Sequence, residues 1–214
     1  MGSELKYFQD TRVNKRVFVG KCLAEEIRAN GEEIIDYVNE IKKYYSSSSK
    51  ANQKLDEFVK SLNSVGNFFI AISDNILKNV KPKNNNWKEE LTSYAVSAYR
   101  QVETLLRKYD DEDLIDYDEL YTDLYETLKQ EGKYLAERIE HFLDIRPFYT
   151  VDRNKFYPGI QENYIRLADF DETKTPFLTV TYFNGFLDRD NKVVVKEVIG
   201  FREYIDIKEI EKNM

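Results

Sequence analysis

Cysteine, histidine, tryptophan and proline are scarce in this chain: its 214 residues hold one Cys, one His, one Trp and four Pro. With Cys22 alone, no disulfide can close within the chain, and a reducing cytoplasm is the default expectation. Cys22 sits inside a helical pattern, which favours a place in the core over that of a nucleophile. His141 would have to serve any histidine-based protease triad by itself, and a ferritin-type di-iron bundle needs two Glu-x-x-His pairs. Arg138 and His141 stand too close together for the Arg and His of a HEPN-type ribonuclease signature, and the Trp-x-Gly turn of WXG-type helical pairs is missing. The eight glycines are scattered, so neither a phosphate-cradling Gly-x-x-x-x-Gly-Lys-Ser/Thr nor a dinucleotide Gly-x-Gly-x-x-Gly occurs. The longest apolar run, Phe68 to Ile72, is far short of the ~20 residues a membrane-spanning helix needs. The opening Met-Gly-Ser-Glu-Leu-Lys also lacks the apolar core of a secretory signal.

What the chain does hold is charge, aromatic rings and helical periodicity. Its net charge is −7, which argues against general affinity for nucleic acid, whose phosphates require a basic face. Tyr109 to Asp144 carries thirteen Asp and Glu against three Lys and Arg, so the acidity is concentrated in one stretch. Sixteen Tyr and thirteen Phe suit a protein that buries rings or offers them to a partner. A composition rich in Lys, Asn, Ile and Tyr is typical of AT-rich genomes such as those of phages and mobile elements.

Three stripes with spacings of three and four precede the acidic stretch. The first runs from Val13 through Gly20, Ala24, Ile27, Gly31, Ile34, Val38 and Ile41 to Tyr45, keeping phase across Gly31, so one long helix is expected. The second uses Leu55, Val59, Leu62, Gly66, Phe69, Ser73, Ile76 and Val80, widened by Phe58, Val65 and Ile72. The third uses Trp87, Leu91, Tyr94, Ala98, Val102, Leu105 and Tyr109, opened by a capping box of Asn86 with Glu89. In the acidic stretch Tyr117, Tyr121, Leu124, Leu128, Leu135, Ile139 and Phe142 form an inward ridge. Glu119, Asp123, Glu126, Gln130, Lys133, Glu137 and His141 lie opposite. Asp116 with Glu119, flanked by Ile115 and Leu120, is the expected start of that helix. Glu131 falls on the ridge beside Gly132, so either the helix breaks there or the carboxylate occupies the rim.

From Pro147 the period shortens. Phe148–Val151, Tyr164–Phe170, Phe177–Leu187 and Lys192–Ile207 read as strands, with Tyr157-Pro158-Gly159 as a type II turn. Asp188 to Asn191 is the expected tip of a long hairpin, Asn184-Gly185 a competing turn or bulge, and Gly200 a bulge. The expected fold is α+β: an N-terminal antiparallel bundle of about four long helices over 12–144, then a small C-terminal antiparallel β region with a long hairpin over 147–208. Whether the β region packs on the bundle as one domain stays open.

No cofactor and no metal are expected, although Asp111, Asp113, Asp188 and Asp190 offer carboxylates at alternate positions without the rest of a calcium loop. The leading functional expectation is a non-catalytic interaction or regulatory protein. It docks on a basic protein surface through Asp110, Asp111, Asp113, Glu119, Asp123 and Glu126, with Tyr109 and Tyr125 adding aromatic contact. Carboxylates so arranged can stand in for nucleic-acid phosphates. Two alternatives belong to other classes. One is a small nuclease or toxin-like enzyme using Arg146, Arg153, Lys155 and Arg166 on the β region, or Glu172-Thr173-Lys174 as a metal-dependent nuclease motif. The other is a homo-oligomer assembled through the helical stripes or the hairpin.

Overall fold

The computed structural model describes residues 13–45, 53–79, 86–111, 114–115, 118–150, 157, 159–165 and 178–202. Two compact units follow one another along the chain, Met1–Asp144 and Ile145–Met214. The architecture is α+β, with four long helices and then a small, mostly antiparallel β region.

The helices are α1 (Val13–Tyr45), α2 (Gln53–Asn79), α3 (Trp87–Lys108) and α4 (Glu119–Leu143). Side-chain pairs give their directions. Arg28 of α1 meets Asp74 of α2, and Gly31 meets Gly66; Phe58 and Ser61 of α2 meet Tyr109 at the end of α3, while Asn79 meets Tyr94. Val102 of α3 packs on Gly132 of α4, and Glu26 of α1 meets Tyr134 and Arg138 of α4. Neighbours in sequence are therefore antiparallel and α4 returns to α1, an up-down-up-down bundle.

The expected stripes supply its core. Ala24, Ile27, Ile34, Val38 and Ile41 of α1 are buried, as is the α2 set from Leu55 to Ile76; Val80 lies outside the described residues. On α3, Leu91, Ala98, Val102 and Leu105 are buried while Trp87 and Tyr94 are half-buried. α1 runs unbroken through Gly31 because that glycine is a crossing point. A Cβ on Gly66 would stand 2.8 Å from the Gly31 carbonyl, and one on Gly31 2.7 Å from the Gly66 carbonyl. α4 is also continuous. Gly132 is buried, and Glu131 takes the rim position beside it.

The helix starts differ from expectation. Asn86 is the N-cap of α3, but its side chain makes no capping hydrogen bond. α4 is capped by Asp118, whose carboxylate accepts from Tyr121 N at 2.9 Å, two residues beyond the Asp116 start; Asp116 and Tyr117 lie outside the described residues. Capping there places the Tyr121 ring on Phe58 and lets its hydroxyl donate to the Tyr109 carbonyl at 2.9 Å, which a start at Asp116 leaves unexplained. The ridge then ends on Leu143, fully buried, with Phe142 only half-buried.

In the second unit, β1 (Ile145–Phe148), β2 (Gln161–Ile165), β3 (Leu178–Phe183), β4 (Gly185–Asp188), β5 (Val193–Val195) and β6 (Glu197–Arg202) form two three-stranded sheets, ordered β1-β4-β5 and β2-β6-β3. The long hairpin is present, its pairs running from Leu178↔Arg202 to Leu187↔Val193, and it bends so that one half serves each sheet. Its tip is closed by Asp188 N donating to the Lys192 carbonyl at 2.9 Å, with Asn191 in the left-handed region at φ 59°.

Several local expectations are corrected. β1 starts at Ile145 and β2 at Gln161, each three residues early; Phe177 and the expected strand residues 166–170 and 203–207 lie outside the described residues. β2 runs parallel to β6, among the described residues the one ladder that departs from the antiparallel pattern. Gly185 opens β4 instead of forming a turn, since a Cβ there would stand 2.7 Å from Glu197 N and strike the Phe148 ring. The bulge near Gly200 belongs to β2, between Asn163 and Ile165. The Tyr157 carbonyl accepts from Ile160 and Gln161 at 3.0 and 2.8 Å, and Gly159 lacks the positive φ of a type II turn; Pro158 lies outside the described residues.

Candidate functional site

The residues singled out for partner contact separate into three groups. Tyr109 is a core residue. It is 1% exposed, stacked on Phe58 with ring centroids 4.1 Å apart, and its hydroxyl pairs with Ser61 Oγ at 2.7 Å, so it has no surface to offer a partner. Asp111 is committed to the bundle through an ion pair with Lys54 of α2, and its backbone and side chain organise the turn at Leu114 and Ile115. Asp113, like Glu112, lies outside the described residues.

Of the remaining five, three share one face at the start of α4, and Tyr125 and Asp110 form a hydrogen-bonded pair apart from them. Glu119, Asp123 and Glu126 are exposed at spacings of four and three, which places them on successive turns of one helix face. Glu126 is partly neutralised by Lys129 at 2.8 Å. Glu119 and Asp123 line an open depression of about 450 Å³ together with Asp118 and Leu120. Asp110, exposed at the end of α3, accepts a hydrogen bond from the Tyr125 hydroxyl at 3.0 Å.

Tyr125 is half-buried, and Lys129 Nζ lies 5.7 Å from the centre of its ring. Burial, the hydrogen bond to Asp110 and the charges of Asp110 and Glu126 push its hydroxyl up to about 12. Burial and the neighbouring Tyr109 and Asp110 do the same to Tyr121. These phenols stay neutral donors, suited to fixing geometry and unsuited to accepting a proton near neutral pH.

Residues considered for chemistry are placed elsewhere or otherwise occupied. Arg146 donates to Asn191 Oδ1 at 2.7 Å, tying β1 to the hairpin tip, while Arg153, Lys155, Arg166 and Glu172-Thr173-Lys174 lie outside the described residues. Asp188 Oδ1 accepts the amides of Asp190 and Lys192, both at 2.9 Å, as a turn residue does. His141 and Glu137 are exposed on α4. Burial and the charges of Glu25 and Glu26 raise the Cys22 thiol above its ordinary value, which makes it a poor nucleophile. Among the described residues no group of three or more His, Cys, Asp or Glu is placed to hold a metal ion, and no helix is long and apolar enough to cross a membrane.

Sequence patterns missed a polar cluster in the β unit. Glu197 is fully buried, and its carboxylate accepts from Thr150 N (3.1 Å), Thr150 Oγ1 (2.5 Å), Gln161 Nε2 (3.0 Å) and Thr181 Oγ1 (2.6 Å). Gln161 in turn accepts from Tyr157 N at 2.8 Å. The cluster joins the residues after β1 to β2, β3 and β6, and among the described residues its carboxylate is met by neutral donors. No spacing rule links residues 150, 161, 181 and 197; a Glu at a strand start inside an apolar run is the only signal.

No family model matches the chain, and neither a curated protein nor a solved structure matches it.

Proposed function

We propose that this is a non-catalytic interaction or regulatory protein that docks on a basic protein surface through the first turns of α4. The observation that carries the reading is the exposed row Glu119, Asp123 and Glu126, of which only Glu126 has an ion pair within its own helix. Asp110, bonded to the Tyr125 hydroxyl, adds a further exposed carboxylate near the end of α3. Carboxylates held on a rigid helix need little reorganisation to meet arginine or lysine side chains, and such complementarity governs encounter rate and partner choice. A partner that otherwise binds nucleic acid suits this surface, with the carboxylates taking the places of phosphates.

The test is capture from cells of the source organism with the wild-type chain and with a Glu119→Lys, Asp123→Lys, Glu126→Lys variant. The expected result is a partner retained at low salt by the wild type, released as salt rises, lost with the variant and displaced by DNA or RNA. Equal capture by the two chains overturns the docking surface. Capture that is lost with the variant but indifferent to nucleic acid keeps the surface and removes the phosphate mimicry.

A further inference from the structure

Two tyrosines of α4 are held in the same way, and each has a cation at its ring. The Tyr134 hydroxyl donates to Glu26 of α1 at 2.9 Å, the Arg138 guanidinium lies 4.5 Å from the ring centre, and Arg138 Nε is 3.3 Å from Glu26. The Tyr125 hydroxyl donates to Asp110, beyond the end of α3, at 3.0 Å. Lys129 Nζ lies 5.7 Å from the centre of that ring and 2.8 Å from Glu126. In both places the hydroxyl bond crosses to another segment and fixes the ring, and the cation stands one helical turn further along α4.

The two differ in the cation and in the balance of charge. At Tyr134 a planar guanidinium has closed on the ring, and Arg138 cancels Glu26. At Tyr125 an ammonium sits near the ~6 Å limit of a cation–π contact and meets a single oxygen of Glu126. Asp110 and Glu126 together outweigh Lys129 by one negative charge, and all three are exposed. An ammonium on a flexible stem in an exposed pair is weakly held, whereas an arginine offers a flat face to the ring and two parallel donors to a carboxylate. Lys129 also stands between the two features of this surface. It pairs with Glu126 of the acidic face on one side and lies over Tyr125, bonded to Asp110, on the other.

We propose that Tyr125, Glu126 and Asp110 form a seat for an arginine side chain of a basic protein partner, with Lys129 as an internal stand-in that the arginine displaces. This rests on the docking reading above and names the residue the partner must present. The anchored ring needs no reorganisation to receive a guanidinium, and the arrangement already closed at Tyr134 is what the partner completes at Tyr125.

Binding of nona-arginine and nona-lysine peptides to the full chain at matched ionic strength tests the seat, read as the ratio of the two dissociation constants. The wild type is expected to favour the arginine peptide, and Tyr125→Leu to reduce that preference about 2–5-fold, the loss of one exposed cation–π contact. Lys129→Gln removes the stand-in at an exposed position and is expected to raise the preference by a similar factor. It decides the matter alone if Tyr125→Leu folds poorly. Equal binding of both peptides by the wild type overturns the seat and leaves the acidic docking surface standing. A preference that either well-folded variant leaves unmoved does the same, since it then belongs to arginine-rich peptides in general. Binding of neither peptide overturns the docking surface together with the seat.

Discussion

Each unit of this chain holds a carboxylate away from water, and the two are treated in opposite ways. In the β unit, Glu197 is fully buried with four donors converging on its two oxygens. In the bundle, Glu131 is half-buried and has no ion pair among the described residues, and burial with the charge of Glu33 raises its carboxyl. The helical unit satisfies its backbone internally, so its cohesion comes from apolar stripes and close crossings, and a polar side chain on a seam is tolerated. The small β unit has less apolar surface to bury, and it uses a polar hub to fix how two sheets meet.

That contrast breaks most severely at the hub. Glu197→Ala leaves the Thr150 amide and three side-chain donors without an acceptor. A loss of about 3–5 kcal/mol is expected, read as a fall in the urea midpoint of the full chain. A loss under about 1 kcal/mol would show that the hub contributes no more than an ordinary surface group.

Close crossing is the corresponding element of the bundle. Gly66→Val forces side-chain atoms against the Gly31 carbonyl and Ile35, for an expected loss of about 2–3 kcal/mol with helical circular dichroism retained before the transition. An unchanged midpoint would mean that α1 and α2 part easily.

The smallest effect is the most diagnostic. Glu131 takes up its proton at about 7 in the folded chain against an ordinary 4.5, so between those values the folded state binds more protons than the unfolded one. Its contribution is fully present below pH 4.5 and is lost as pH rises through about 7. Glu131→Gln should therefore match the wild type at pH 4 and exceed its stability at pH 8 by about 1 kcal/mol, after allowing for solvent screening at the rim. A pH-independent difference between the two chains would remove the titration as its cause.

Helix positions were legible because a stripe is a local, repeated signal. Leu124, Leu128, Leu135 and Ile139 face inward and Glu119, Asp123, Glu126 and His141 outward, as their spacing dictates. The cap of α4 is ambiguous in the sequence because Asp116 and Asp118 both offer a side chain near Glu119, and the choice depends on Tyr121 reaching Phe58 and the Tyr109 carbonyl across the bundle. Tyr109 fits both the core stripe and the acidic surface by spacing, and stacking on Phe58 decides for the core. The hairpin was legible from its turn residues, whereas the parallel β2–β6 ladder and the Glu197 hub join residues far apart in the chain, which periodicity does not record.

Among the described residues, the sheet order β1-β4-β5 leaves β1 and β5 as the outer strands of one sheet, and both are poor templates for a visiting strand. β1 carries Pro147, which has no amide hydrogen to donate, in a strand of only four residues. β5 has three residues, is bulged at Val194, and is flanked by the exposed Lys192 and Lys196. A fibril growing by strand addition would meet a missing donor on one side and a short, kinked, positively charged rim on the other, so this sheet is guarded against runaway stacking at both borders.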